Sequence, residues 1–556
     1  MDIVFHLIGR SRINIVLAVI TGIVSGLGSA ALIGLINTEL HATTSDFRLT
    51  ILLFAGVMVL VMLSQIVSTI VIMRAGQTAA RDLRMELSHR IIRAPLRLLQ
   101  QLGAPRLMAN LTEDVTVLVE SFQLIPQMCI NISWVSGCLI YLGWLSWQLL
   151  IIVVVVMLLG VIIYQLSTRS ALRPLRAARE QDDALYAHFR GLINGIKEIK
   201  LHQRRKKAFL ADVLYPTAEA CRKEIISAMT LFILAAAFGT LLLYCLIGFI
   251  LFETNDWEMI TREIVSGYAL TLLYMMAPLT TALGDLPTFS RASVALGKIN
   301  HLKKELTEQA EASADLKHTE SPASPGKLEL LAVTHQYVRE GDEHKFTLGP
   351  LDLTFQPGEL VFITGGNGSG KSTLGLLLVG LYSPESGQIR MNGVEITEAE
   401  RENYRQQFAV VFSDFYLFES LLGLLTDDLD QRARTYLTEL QLDHKVTIAN
   451  GIFSTVELSQ GQRKRLALVT AYLEDRPFYV FDEWAADQDP LFKELFYTVM
   501  LGDLKARGKT VIVITHDDHY FHLADRCIRL ENGQILGSQK TQLGPVHATC
   551  LNMNEA

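Results

Sequence analysis

A lysine, two adjacent acids and a histidine stand at the ends of apolar runs in the second half of this 556-residue chain. The stretch FITGGNGSGKSTLGLLLVGL follows a short apolar strand, Leu360 to Ile363, and opens an amphipathic helix. It matches G-x-x-x-x-G-K-[ST], with Gly365, Gly370, Lys371 and Ser372 at the fixed positions. The backbone N–H groups of such a loop (here Gly365, Gly366, Asn367, Gly368, Ser369 and Gly370, leading into Lys371, Ser372 and Thr373) point inward around a phosphate. The helix that follows adds a partial positive charge. Lys371 is suited to neutralising the β- and γ-phosphates of a nucleotide, and Ser372 to placing its hydroxyl on Mg2+.

The stretch FYVFDEWAADQDP, Phe478 to Pro490, runs four strand-forming residues into Asp482 and Glu483. Buried carboxylates are costly unless something pairs with them. A Mg2+–triphosphate at the end of a parallel sheet supplies that partner. Neighbouring strand residues face opposite ways, so the two acids divide the work. Asp482 suits the Mg2+ coordination shell, and Glu483 suits polarising a water for in-line attack on the γ-phosphate. In TVIVITHDD the apolar strand Val511 to Ile514 leads to His516, placed to hydrogen-bond the same phosphate. In ELSQGQRKRLALVTAYL, Ser459, Gly461 and Gln462 precede a basic amphipathic helix, and the hydroxyl and glycine at its start form a second anion site, with Gln460 a further candidate contact. One nucleotide needs one phosphate loop. A second phosphate reader therefore implies a shared site, with two domains sandwiching ATP head to tail.

These residues need a scaffold, and the composition outlines it. Residues 328–556 alternate strands with helices, as an α/β P-loop NTPase domain does. A polar stretch rich in Ser, Pro, Ala and Glu, residues 301–327, reads as a linker. Residues 1–300 read as an α-helical membrane domain. Half of the whole chain is hydrophobic and only 19% is charged, below the ~25% of a soluble domain. Five runs carry no charge: Ile13 to Ile36, Leu49 to Met73, Ser121 to Thr168, Ser227 to Phe252 and Ile264 to Gly284. The third is about twice the ~20 residues of one span and folds back near Ser146-Trp147-Gln148, giving about six spans.

Basic residues set the orientation. Arg74, Arg81, Arg84, Arg90, Arg93, Arg97 and Arg106 lie between the second and third spans. A second basic series, from Arg169 to Lys207, lies between the fourth and fifth. The other connections are short and acidic, with Glu39 and Asp46 in one and Glu253, Asp256 and Glu258 in another. By the positive-inside rule the long basic loops and both termini are cytoplasmic. The loop QTAARDLRMELSHRIIRAPLRLL continues its membrane helix into the cytoplasm and breaks near Pro95. Gly22, Gly26, Ser29 and Ala30 allow close helix approach, and Pro278 kinks or ends the last span. The net charge of -7 gives no reason to invoke nucleic acid. Six scattered cysteines without a CxxC pair speak against a zinc site or a disulfide framework, and the first residues read as a cytoplasmic lead-in.

Taken in this order, the phosphate loop, LSQGQ, FYVFDE and ITHDD make the chain resemble an ABC exporter half-transporter of type I, six membrane helices fused to one nucleotide-binding domain. GGNGSGKST, FSDFYLF, DEWAADQDP and THDDHYF look like a bacterial subgroup that exports cyclic or modified peptides, of the syringomycin, pyoverdine-precursor and microcin type. The resemblance implies a homodimer or a paired half in the bacterial inner membrane, in contact with membrane lipids, with two ATPs and Mg2+ at the interface. Ser459 and Gly461 of one subunit would contact the nucleotide held by Gly365 to Thr373 of the other. Tyr337 matches the aromatic that stacks on adenine, and Asp489 the interface aspartate. Three departures stand out. Ser413, followed by Asp414, replaces the usual metal-sensing Gln, so the contact passes to Ser413, Asp414 or a water, or is lost. Gln460 stands where glycine is common. Trp484 is bulky beside the attacking water.

The expected activity is ATP hydrolysis coupled to export of a peptide, with accessory export proteins left open. Two other readings stand beside it: a lipid or multidrug exporter, and an ATP-switched regulatory membrane protein, against which Glu483 and His516 speak.

Overall fold

The computed structural model describes residues 2–41, 47–253, 261–309, 326–337, 346–424 and 428–540. The acidic connections around Asp46, Asp256 and Glu258 and the Ser/Pro-rich part of the linker lie outside the described residues. Two compact units result. One comprises Met1–Ser88 and Pro105–Lys304, the other His89–Ala104 and Glu305–Ala556.

The first unit is helical. Among the described residues, six helices are long and apolar enough to cross a membrane. Asp2–His41 and Phe47–Ile92 come first, then Val115–Leu145 and Trp147–Asn194, separated by the extended Ser146. Tyr215–Glu253 and Arg262–Glu308 complete the set. The uncharged runs thus mark spans, and the helices continue beyond them: Phe47–Ile92 has 46 residues and Trp147–Asn194 has 48, against the ~20 a bilayer needs. Large apolar side chains such as Leu52, Leu158 and Ile233 face outward, as a hydrocarbon solvent permits.

Small residues set the contacts between helices. A Cβ on Gly26 would stand 2.6 Å from the Ile130 carbonyl oxygen, and one on Gly137 2.8 Å from Ala30 Cβ. The first and third spans therefore pack nearly backbone to backbone. The helix from Arg262 runs through Pro278, so this proline does not end the last span. The polar stretch from His301 is likewise still helical, to Glu308. Ile299, Leu302 and Leu306 recur at helical spacing and are fully buried. That apolar stripe carries the helix past the change in composition, so the linker begins later than His301.

The second unit is built on a six-stranded sheet. Its order is Gln534–Lys540, Arg526–Glu531, Leu360–Thr364, Thr510–Ile514, Phe478–Asp482, Phe408–Val411. Five strands are parallel and Gln534–Lys540 pairs antiparallel at the edge. Its central strands are buried on both faces, which is why they read as unbroken apolar runs. Phe362, Tyr479, Phe481 and Val513 serve one core, while Val361, Ile363, Val480 and Ile512 serve the other. A four-stranded antiparallel sheet, with Leu328–Tyr337, Phe346–Phe355 and Ser386–Met391 as its longer strands, flanks the second core.

Candidate functional site

Strand register places the chemistry. Ile514 lies opposite Ile363 on one side and Asp482 on the other. The segments after Thr364, Asp482 and Ile514 therefore leave the sheet together at its carboxyl edge, where ligands bind in open parallel sheets.

The first of these segments is the phosphate loop. Gly365 has φ 149° and Gly370 has φ 101°. A Cβ on Gly365 would meet the Leu530 carbonyl oxygen at 2.2 Å, so only glycine passes there. Gly370 leads directly into the helix Lys371–Leu378. The Lys371 side chain folds back over the loop, its Nζ donating to the Gly365 oxygen at 3.0 Å and the Gly366 oxygen at 3.1 Å. Burial lowers the Lys371 ammonium below the ordinary lysine range, and the charges of Glu483 and Asp482 oppose that shift.

Asp482 closes the second segment's strand, 3% exposed. Burial pushes its carboxyl above the usual carboxylate range, while the Ser372 and Ser413 hydroxyls and Lys371 favour the charged form. Ser413 Oγ donates to Asp482 Oδ2 at 3.3 Å. Asp482 Oδ1 is buried with no hydrogen-bond donor, as is Ser369 Oγ. Asp414 is exposed. Among the described residues no cluster of three or more His, Cys, Asp or Glu could hold a metal by itself. This donor set fits Mg2+, which takes one or two protein oxygens and completes its shell with phosphate oxygens and water.

Glu483 is not a strand residue. Its φ of 49° and ψ of 35° are left-handed, a conformation that non-glycine residues rarely adopt. This turn, rather than strand alternation, separates the two acids. Glu483 N–H donates to the Ile514 oxygen at 2.9 Å, and its Oε1 lies 3.1 Å from His516 Nε2. The structure thus brings Glu483, His516, Asp482, Ser372 and Lys371 to one edge. Tyr337 is half-exposed at the end of its strand.

The other sequence candidates make local capping contacts. Ser459 caps the helix Gln460–Glu474, and Gln462 Oε1 accepts from the Ser459 N–H at 3.3 Å. Among the described residues, no hydrogen bond joins Ser459, Gln460 or Gly461 to Gly365–Thr373. Asp489 caps the helix Pro490–Leu495, its Oδ1 accepting from Phe492 N–H at 3.1 Å.

The Trp484 side chain is not an exposed neighbour of Glu483 but part of the core. It is 1% exposed, its Nε1 donates to the Lys464 oxygen at 2.9 Å, and its ring stacks on Phe496 at 4.3 Å. The left-handed turn at Glu483 points the next side chain into the core. Sequence reasoning also passed over Lys464 and Asp487, joined at 2.7 Å. The available signal was the i, i+4 spacing of Gln460 and Lys464 on one helix face.

Known proteins carry the same two parts. The model for the ABC transporter transmembrane region matches residues 12–279, and that for the ABC transporter domain matches residues 348–486. The ATP-binding protein SyrD of Pseudomonas syringae pv. syringae is 35% identical, over 94% of this chain and 93% of that protein. An ATP-dependent lipid A-core flippase of Thiobacillus denitrificans is 24% identical over 90% and 88%. The subtilin transport ATP-binding protein SpaT of Bacillus subtilis is 32% identical over 37% and 35%. In fold, the chain is similar to a bacterial Atm1-family ABC exporter solved with ATP bound, at a TM-score of 0.69 and 18% identity over 96% and 95%.

Proposed function

The chain belongs to the ABC transporters, as an exporter half-transporter with one transmembrane region and one ATP-binding cassette, and from that premise we propose that it exports a cyclic or modified peptide across the bacterial inner membrane. The motifs DEWAADQDP, FSDFYLF and THDDHYF support a peptide cargo, as does the relative named for subtilin transport. The flippase relative supports a lipid cargo as the second reading.

One observation carries the hydrolytic mechanism: the 3.1 Å contact between Glu483 and His516 beside a buried Asp482. The loop Gly365–Thr373 wraps the phosphates with backbone N–H groups, and Lys371 offsets their charge. Asp482 and Ser372 would hold Mg2+, with Ser413 fixing Asp482, and the ion would supply charge neutralisation to the phosphates. Glu483 accepts a proton from the attacking water, and His516 orients Glu483 and hydrogen-bonds the γ-phosphate. Tyr337 stacks on the adenine. Ser459, Gln460 and Gly461 face the nucleotide of a second copy, with Asp489 at that interface. That no hydrogen bond joins them to the phosphate loop, among the described residues, supports such a homodimer. Closure of two cassettes around ATP then shifts the spans between two states.

Glu483→Gln tests the chemistry. ATP turnover falls by about 100-fold or more, while ATP binding persists. Normal turnover in this variant removes Glu483 as the base. Inside-out vesicles test the cargo, with ATP-dependent uptake of labelled amphipathic peptides expected. Uptake of lipids and of no peptide overturns the peptide reading.

A further inference from the structure

We propose that Lys464 is a positioning residue for ATP hydrolysis. With Asp487 and Gln460 it clamps the start of the helix Gln460–Glu474 to the backbone of Glu483, so that two nucleotide contacts of one chain move as one body. This rests on the reading above, in which Glu483 serves the chain's own nucleotide and Ser459 and Gly461 serve a second copy's.

Lys464 is 2% exposed, and a buried ammonium is stable only with partners. It has two. Its Nζ donates to the Glu483 carbonyl oxygen at 2.8 Å and pairs with Asp487 Oδ2 at 2.7 Å. The same Asp487 oxygen accepts from Gln460 Nε2 at 3.2 Å. Gln460 and Lys464, one helical turn apart, thus converge on one carboxylate. Two further ties join the same helix and loop. Gln488 Nε2 donates to the Gly461 oxygen at 3.0 Å, and Trp484 Nε1 to the Lys464 oxygen at 2.9 Å.

The held residue is the one that needs holding. Glu483 sits in a left-handed conformation that an L-residue leaves when its surroundings allow. Ile514 O fixes its N–H, and Lys464 fixes its carbonyl. Releasing the carbonyl frees the peptide plane that aims the carboxylate at His516. Lys464 touches no reacting atom. It acts through Glu483, and a displacement at Ser459–Gly461 reaches Glu483 through it. The clamp also accounts for Gln460, since glycine there could not reach Asp487.

The full-length transporter in lipid nanodiscs tests this with Lys464→Met and Lys464→Gln. Met keeps the apolar stem and donates nothing, whereas Gln keeps an uncharged N–H donor group. The expected order of kcat is wild type, then Gln, then Met, with Met down by about tenfold or more, the scale on which misplaced catalytic groups act. The KM for ATP and nucleotide binding to the phosphate loop stay within about twofold. Because Lys464→Met can fail to fold, Asp487→Asn is measured beside it. This half-exposed partner loses its charge but keeps an amide oxygen that can accept from Lys464, and kcat is expected to fall severalfold at constant KM. Wild-type kcat in both Lys464→Met and Asp487→Asn overturns the clamp. So does a loss of kcat, nucleotide binding and melting temperature together, which a purely structural lysine produces. Glu483→Gln in the same preparation separates the two readings. If it turns over ATP normally, the base assignment fails. If it is inactive and both Lys464→Met and Asp487→Asn are normal, only the clamp fails.

Discussion

Removing the Ser413 hydroxyl asks how Asp482 keeps its geometry. Ser413 Oγ is 3.3 Å from Asp482 Oδ2, and a hydrogen bond to a buried charged group is worth about 1.5–3 kcal/mol. Ser413→Ala is expected to raise the Mg2+ concentration for half-maximal ATPase by about tenfold, with ATP binding in chelator unchanged. A Mg2+ titration of turnover reads it, and an unchanged midpoint removes Ser413 from the metal site. Trp484→Ala makes a different prediction. Its ring is buried against Phe496, so the loss is one of stability, about 3–5 kcal/mol, read as a lowered unfolding temperature. Lys371, Ser372, Asp482 and His516 were legible because each lies in a contiguous motif at the end of an apolar strand. Trp484 was not. Its direction depends on the left-handed backbone at Glu483, and strand alternation gives no hint of a non-glycine residue in that conformation.

At the scale of elements, the helix Leu96–Leu102 is the part least visible in the chain. Pro95 breaks the long arginine-rich helix where the amphipathic pattern requires it, but the pattern says nothing of where the next turns go. They pack with the cassette, in the same compact unit. Leu98 is buried and Leu96 lies against the core of Val361 and Ile363. Arg97 Nη1 pairs with Glu385 Oε1 at 2.8 Å, 288 residues away, and Tyr382 O–H donates to Gln100 Oε1 at 2.5 Å. Tyr382 in turn stacks on His335 at 4.8 Å. Contacts between residues so far apart leave no periodic signal. Since this helix continues the chain of the second span, loosening it is expected to separate hydrolysis from transport. In Arg97→Ala combined with Tyr382→Phe, basal ATPase stays within about twofold and ATP-driven vesicle uptake falls several-fold more. Exposed ion pairs contribute little to stability, so melting temperature serves as the control. Equal losses of ATPase and uptake would sink the coupling role.

The whole molecule sets the side of the membrane on which hydrolysis occurs. Absence of charge over long runs marks spans because one central Arg or Asp costs about 2.5–3.5 kcal/mol on insertion. That is why six spans could be counted before any helix was seen, whereas their mutual packing, decided by Gly26 against Ile130 and Gly137 against Ala30, could only be guessed from small residues. Six candidate spans, an even number, are expected to put both ends of the chain on one side. By the positive-inside rule the basic loops from Arg74 to Arg106 and from Arg169 to Lys207 are expected to put that side in the cytoplasm, where ATP would be available to Lys371. Single cysteines in a cysteine-free background test this directly. Leu201→Cys, at a position 76% exposed, is expected to resist a membrane-impermeant maleimide in intact cells and to react in inside-out vesicles. Asp256→Cys, in an acidic connection, is expected to react in the opposite order. Labelling of position 201 from outside would reverse the orientation, place the cassette away from its ATP and overturn the export reading with it.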